Sequence, residues 1–131
     1  MKRSEKNSEH YVWGGDCDGW HLLKSDSLSV IKERVPPGRF EMRHLHNKAE
    51  QFFYILDGTV TLEVDGVENI VNAGEGLHIP AGVPHQLKNE TPNDVIFIVT
   101  STPPSHGDRV EVEVYPANSA DEKSCATDHK Q

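Results

Sequence analysis

Cysteine is nearly missing from this 131-residue chain, which carries only Cys17 and Cys125. The two lie far apart and match no paired-cysteine spacing for zinc or redox chemistry. Positive charge is also scarce. Thirteen Lys and Arg against 21 Asp and Glu leave a formal net charge of −8 with no basic stripe, which argues against nucleic acid or an anionic membrane as a partner. No apolar run approaches the length of a membrane span. The opening stretch MKRSEKNSEH is polar throughout and lacks the apolar segment of a signal peptide. These absences predict a cytoplasmic protein with reduced thiols. Convincing helical periodicity and internal repeats are absent as well.

What is present fits one globular domain. The hydrophobic fraction is 35% and the charged fraction 26%, enough for a single core. Residues 1–10 are expected to form a loose arm. Tyr11 to Leu23 carries Trp13, Trp20 and Leu22 around two Gly/Asp turns, consistent with short edge strands. Leu28 to Val35 is rich in β-branched residues and ends at the turn signal Pro36-Pro37-Gly38. Thr59 to Asp65 alternates, with Val60, Leu62 and Val64 on one face and Thr61 and Glu63 on the other. Asp65-Gly66 is a hairpin turn leading to a strand over Val67–Ala73. VIFIVTST (Val95–Thr102) reads as a largely buried strand, and RVEVEVY (Arg109–Tyr115) alternates again. From Pro116 to Gln131 the chain is too polar to order itself. Many short strands, close turns and no helix predict an antiparallel sandwich or barrel over residues 11–115.

The stretch Gly38–Gly58, GRFEMRHLHNKAEQFFYILDG, concentrates the candidate chemistry. In a strand, residues two apart share a face, so His44 and His46 point the same way, with Phe40 and Met42 beside them. Two imidazoles facing an interior are the start of a metal site. Gln51 opens the next run, QFFYIL, which is apolar on both faces and suits a strand covered by the barrel interior on one side. A second sheet or a partner subunit would cover the other. Phe53 and Ile55 share the face of Gln51.

Two spaced patterns carry a family resemblance. G-x5-H-x-H-x4-Q-x6-G, from Gly38 through His44, His46 and Gln51 to Gly58, resembles the first cupin motif, with Gln51 where a Glu is usual. G-x5-P-x-G-x2-H-x3-N matches the second motif in full at Gly74, Pro80, Gly82, His85 and Asn89. The strand pattern extends the resemblance over roughly Trp13 to Tyr115. It implies an all-β antiparallel jelly-roll β-barrel, often dimeric, with His44, His46, His85 and Gln51 as ligands of one divalent transition metal. Imidazole ligation leaves Fe, Ni, Zn, Mn and Cu open. Four protein ligands would leave two positions of an octahedral ion for a substrate with two adjacent oxygens.

Glu50 is the alternative to Gln51, since a bulge would reverse which of the two faces inward. An amide oxygen with three neutral imidazoles would leave the full charge of a dication in the pocket, giving weaker binding and stronger polarisation than a carboxylate would. A three-His, one-Gln set resembles that of cupins that convert unsaturated uronate sugars to open keto forms. The acidic and aromatic residues those enzymes carry on the strand after the third His have no match in IFIVTST. His78 lies outside the ligand positions and reads as structural or solvent-facing; His10, His21 and His129 read as solvated, and Arg39 and Arg43 as outward.

PPSHGDR (Pro103–Arg109) reads either as a polar turn or as a loop bringing His106 or Arg109 to the barrel mouth. In the second reading these two are the candidate catalytic residues, with Arg109 clamping a carboxylate or phosphate and His106 moving protons. The resulting expectation is a metal-dependent enzyme of isomerase or dioxygenase type acting on a small oxygenated molecule. The alternative is a non-catalytic ligand-binding or sensing domain using the same pocket. A homodimer is expected, with the N-terminal arm or the edge strand around Trp13–Leu23 crossing between subunits.

Overall fold

The computed structural model describes residues 1–114; Tyr115 and the expected polar tail, with Cys125 and His129, lie outside the described residues. Eleven strands follow in chain order: β1 (Glu9–Trp13), β2 (Cys17–Lys24), β3 (Ser29–Val35), β4 (His44–Leu45), β5 (Glu50–Asp57), β6 (Thr59–Val64), β7 (Val67–Asn72), β8 (Gly76–Ile79), β9 (His85–Lys88), β10 (Val95–Thr102) and β11 (Val110–Glu111). They form a six-stranded sheet in the order β1-β2-β3-β10-β5-β8 and a five-stranded sheet in the order β11-β4-β9-β6-β7. Every strand pairing is antiparallel. Two antiparallel sheets enclosing one core make a jelly-roll barrel, as the strand pattern and the motifs predict.

Period-two alternation decides what faces inward. Ile31 and Val35 on β3, Phe53 and Ile55 on β5, and Val95, Phe97 and Val99 on β10 supply one wall of the core. Val60, Leu62 and Leu87 from the second sheet join the same core, and the Phe53 and Phe97 rings meet at 5.6 Å. Each such fully buried side chain contributes roughly 1.5–3 kcal/mol. The Asp65-Gly66 turn closes β6 onto β7 with Val64 opposite Val67. Its φ values of 51° and 90° are the left-handed pair that a two-residue hairpin needs.

Several expectations change. Within the expected loose arm, a 3-10 turn over Glu5–Asn7, capped by Ser4, precedes β1, and Glu5 pairs with Lys32 at 2.8 Å. In the described part of the expected strand Arg109–Tyr115, only Val110–Glu111 is strand, beyond which Val112 N–H bonds to Arg43 O. The outward residues of β6 are buried as well, Thr61 and Glu63 included. Arg43 does not face solvent. Its Nε and Nη2 donate to the two Glu63 oxygens at 2.7 and 2.9 Å, and Nη1 reaches Glu113 O at 3.0 Å. Glu63 also accepts from Gly66 N, so this buried pair ties the hairpin to the segment before His44. His21 is likewise buried rather than solvated, packed on the Tyr11 ring at 5.0 Å, because it takes an inward position of β2.

Candidate metal centre

His44 stands on β4 and His85 on β9, directly opposite each other across that strand pair. His46 follows one residue after β4, on the same face as His44. Ring centroids lie 4.9 Å apart for His44–His46, 4.5 Å for His44–His85 and 5.7 Å for His46–His85. One ring nitrogen from each falls within 4.8 Å of the others, and all three residues are buried. Gly82 of the second motif locks the constellation by donating its N–H to His46 O at 2.7 Å.

The hydrogen bonds fix the tautomers. His44 Nδ1 meets Met42 O at 2.7 Å, His46 Nδ1 meets Asp108 O at 2.6 Å, and His85 Nδ1 meets Val83 O at 2.9 Å. A carbonyl only accepts, so each Nδ1 carries the hydrogen and each Nε2 presents a lone pair. All three Nε2 atoms are buried with no hydrogen-bond partner. Burial is the main force holding the imidazoles neutral: it drives His44 well below the usual histidine range, helped by His85 and Arg109, and takes His85 down to about 4. His46 is lowered for the same reason, against the opposing pull of its bond to Asp108. Neutral, buried and unpartnered nitrogens cost free energy unless something accepts their lone pairs. A divalent metal ion fits that donor set.

Gln51 enters from the opposite sheet. It takes the inward position of β5 next to Phe53, whose ring lies 6.4 Å from that of His85. Its Nε2 donates to Ser101 Oγ at 2.9 Å, which leaves Oε1 buried and unpartnered. Glu50 points to solvent and contacts His78 Nε2 at 2.8 Å. The only register shift between β10 and β5 falls at Ile96/Phe97, at the far end of β5, so nothing reverses the alternation at Glu50-Gln51. His78 is exposed, as expected.

The two candidate catalytic residues part company. Arg109 is mostly buried, with Nη2 3.4 Å from Met42 O and 3.8 Å from Glu111 Oε2, and its charge depresses all three imidazoles. His106 lies exposed on the loop, against a surface recess with His21, Lys24 and Ser29, outside the histidine cluster.

Three residues escaped the sequence reading. Glu41 is fully buried; Leu87 N donates to its Oε2 at 3.3 Å, while Oε1 has no partner. Burial pushes its carboxyl up to about 7 against the opposing charge of Arg109. Residues 41–43 are not regular strand, and the Glu41 carboxyl turns in. Ser101, the partner of Gln51, is legible from the inward series Val95, Phe97, Val99. Asp108 reaches the site through its main chain, for which no sequence signal exists.

The cupin-domain family profile matches residues 31–101. The protein MJ1618 of Methanocaldococcus jannaschii is 29% identical over 89 residues, 67% of this chain and 71% of that one. Quercetin 2,3-dioxygenase of Bacillus subtilis is 34% identical over 59 residues, 45% of this chain but only 18% of the dioxygenase. Among solved structures, an RmlC-like cupin from Shewanella frigidimarina superposes with a TM-score of 0.68 at 27% identity, covering 79% of this chain and 95% of that one. A sugar phosphate isomerase of the same superfamily from Silicibacter pomeroyi gives a TM-score of 0.70 at 22% identity, covering 78% and 75%, which is a likeness of fold.

Proposed function

The chain belongs to the cupin family, and from that premise we propose that it is a metal-dependent enzyme of isomerase or dioxygenase type acting on a small oxygenated molecule. His44, His46, His85 and Gln51 would hold one divalent transition metal. The observation that carries this reading is the set of three buried Nε2 lone pairs and one buried amide oxygen, none of which has a hydrogen-bond partner among the described residues. Bound there, the ion would supply Lewis acidity toward a carbonyl or hydroxyl oxygen.

The protein's own groups complete the chemistry. The Gln51 amide cannot take up a proton, so proton transfer needs another group. Glu41, with its carboxyl at about 7, is suited to hold or release a proton near neutrality. Arg109 adds a fixed positive charge felt by Glu41 and by all three imidazoles, suited to an anionic substrate group. A non-catalytic sensing pocket would need no buried carboxyl of raised pKa within the field of Arg109, and Glu41 therefore favours the enzyme. Cytoplasmic location and assembly as a homodimer complete the proposal.

The test is metal analysis of protein purified without added metal, followed by a screen of keto-sugars and diols. We expect one ion per chain, lost in His44→Ala, His46→Ala and His85→Ala. Full metal in the triple variant would sink the assignment. Gln51→Glu should tighten metal binding and lower turnover, because a carboxylate cancels part of the ion's charge. Unchanged affinity would place Gln51 outside the ligand set.

A further inference from the structure

The three imidazoles are not oriented alike. His44 and His85 each bond to a carbonyl two residues upstream, so their orientation is set locally. His46 instead bonds to the carbonyl of Asp108, 62 positions away. The side chain of the same Asp108 accepts three successive main-chain N–H groups: Asn47 at 2.9 Å on Oδ1, then Lys48 at 2.8 Å and Ala49 at 3.0 Å on Oδ2. Those residues are the link between His46 and the start of β5, where Gln51 stands. Burial alone would raise the Asp108 carboxyl, but the three N–H donors outweigh it and keep it ionised.

We propose that Asp108 is a positioning residue of the metal centre, its carbonyl aiming His46 and its carboxylate clamping the 47–49 link that sets His46 against Gln51. This rests on the reading of His44, His46, His85 and Gln51 as metal ligands. One residue thereby couples two ligands from different sheets to the loop after β10. That loop is itself braced, with Asp108 N–H bonded to Ser105 O at 2.9 Å, and it continues directly into Arg109. Asn47 and Lys48 are exposed and Asp108 is half-buried, so water can replace two of the three lost hydrogen bonds when the carboxylate is removed, leaving that of the buried Ala49. Its loss should therefore loosen the site more than it destabilises the fold.

The experiment uses Asp108→Ala and Asp108→Asn in the full chain, with Lys48→Ala as a control that keeps the main-chain donor. Zinc affinity is measured by competition with a chromophoric chelator. The visible spectrum of cobalt-loaded protein and thermal unfolding of metal-free protein are recorded alongside. Loss of a partner that orients a metal ligand weakens metal binding about 10–100-fold. We expect that range for Asp108→Ala, a smaller loss for Asp108→Asn, and a shifted cobalt spectrum in both. Lys48→Ala should match wild type, and metal-free melting should move by only a few degrees. Wild-type affinity and an unchanged spectrum in Asp108→Asn and Asp108→Ala would overturn the proposal while leaving the ligand set intact. Should Asp108→Ala fail to fold, the Asp108→Asn result decides alone. Absence of metal binding in the wild-type protein would remove the ligand set itself, and the proposal with it.

Discussion

Glu41 puts a carboxyl, fully buried, within the field of Arg109 and gives one of its oxygens no partner. Its folded value of about 7 stands above the ordinary glutamate value of 4.5. A raised carboxyl contributes stability that is fully present below the unfolded value and is lost as pH rises through the folded one. In metal-free protein, wild type should therefore lose on the order of 3 kcal/mol relative to Glu41→Gln between about pH 4.5 and 8. The histidines act in the opposite sense, since their depressed values give stability that is present above about 6.5 and lost as pH falls. They are common to both proteins and cancel in the difference. Denaturant unfolding of the pair across this range is the measurement, and parallel pH profiles would refute a buried carboxyl that titrates near neutrality. At this scale the sequence reading was strongest where side-chain direction followed from regular strand: His44, His46 and Gln51 all obey alternation. It failed at Arg43, and gave no role to Glu41, in a stretch where the chain leaves regular strand and period two no longer applies.

At the scale of elements, the non-ligand residues of both motifs have visible work. Asn89 Nδ2 donates to Val35 O and Asn93 O, while its main chain exchanges bonds with Gly38 and Arg39, so the second motif fastens the turn that opens the first. Gly74 N–H bonds Ile55 O at 2.8 Å, joining the start of the second motif to the strand that carries Gln51. Gly58 turns β5 into β6 at φ 87°, and a Cβ there would lie 2.6 Å from Asp94 O and 3.1 Å from Val95 Cα. Both contacts are main chain and cannot swing aside. Gly58→Ala should thus destabilise by more than about 1 kcal/mol, through strain at the join of the two sheets rather than at the metal site. Its melting temperature should fall, and the metal stoichiometry of the folded fraction should hold. An unchanged melting temperature would mean that the β5–β6 turn relaxes freely. These spacings were legible because each motif is a fixed pattern within one continuous stretch of chain, even where its bonds reach far, as from Asn89 to Val35. The 103–109 segment carries no such pattern, and its bonds to His46 and the 47–49 link arise only from the fold.

For the whole molecule, the unresolved feature is the outer face of β5. Gln51, Phe53 and Ile55 face the core, while Phe52, Tyr54 and Leu56 are 45%, 42% and 43% exposed. β5 lies inside its sheet between β10 and β8, so edge exposure does not account for this. The N-terminal turn covers part of the region, where Arg3 to Lys6 border a recess of about 450 Å³ with Leu22, Lys32, Leu56 and Ile98. It folds back on its own sheet through the Glu5–Lys32 pair. Three large apolar side chains in a row on an open sheet face suit a partner with the same surface, and a twofold dimer brings such a patch against itself. Light scattering should give twice the chain mass at micromolar concentration. A charge introduced at the centre of the patch, Tyr54→Asp, should give monomers, because it would face a like charge across the twofold axis with no water to screen it. Tyr54 points away from the histidines, so that monomer should still take up metal. A monomeric wild type would refute the dimer. Dimers that persist in Tyr54→Asp would move the interface off this face, and an edge strand would then be the place to look.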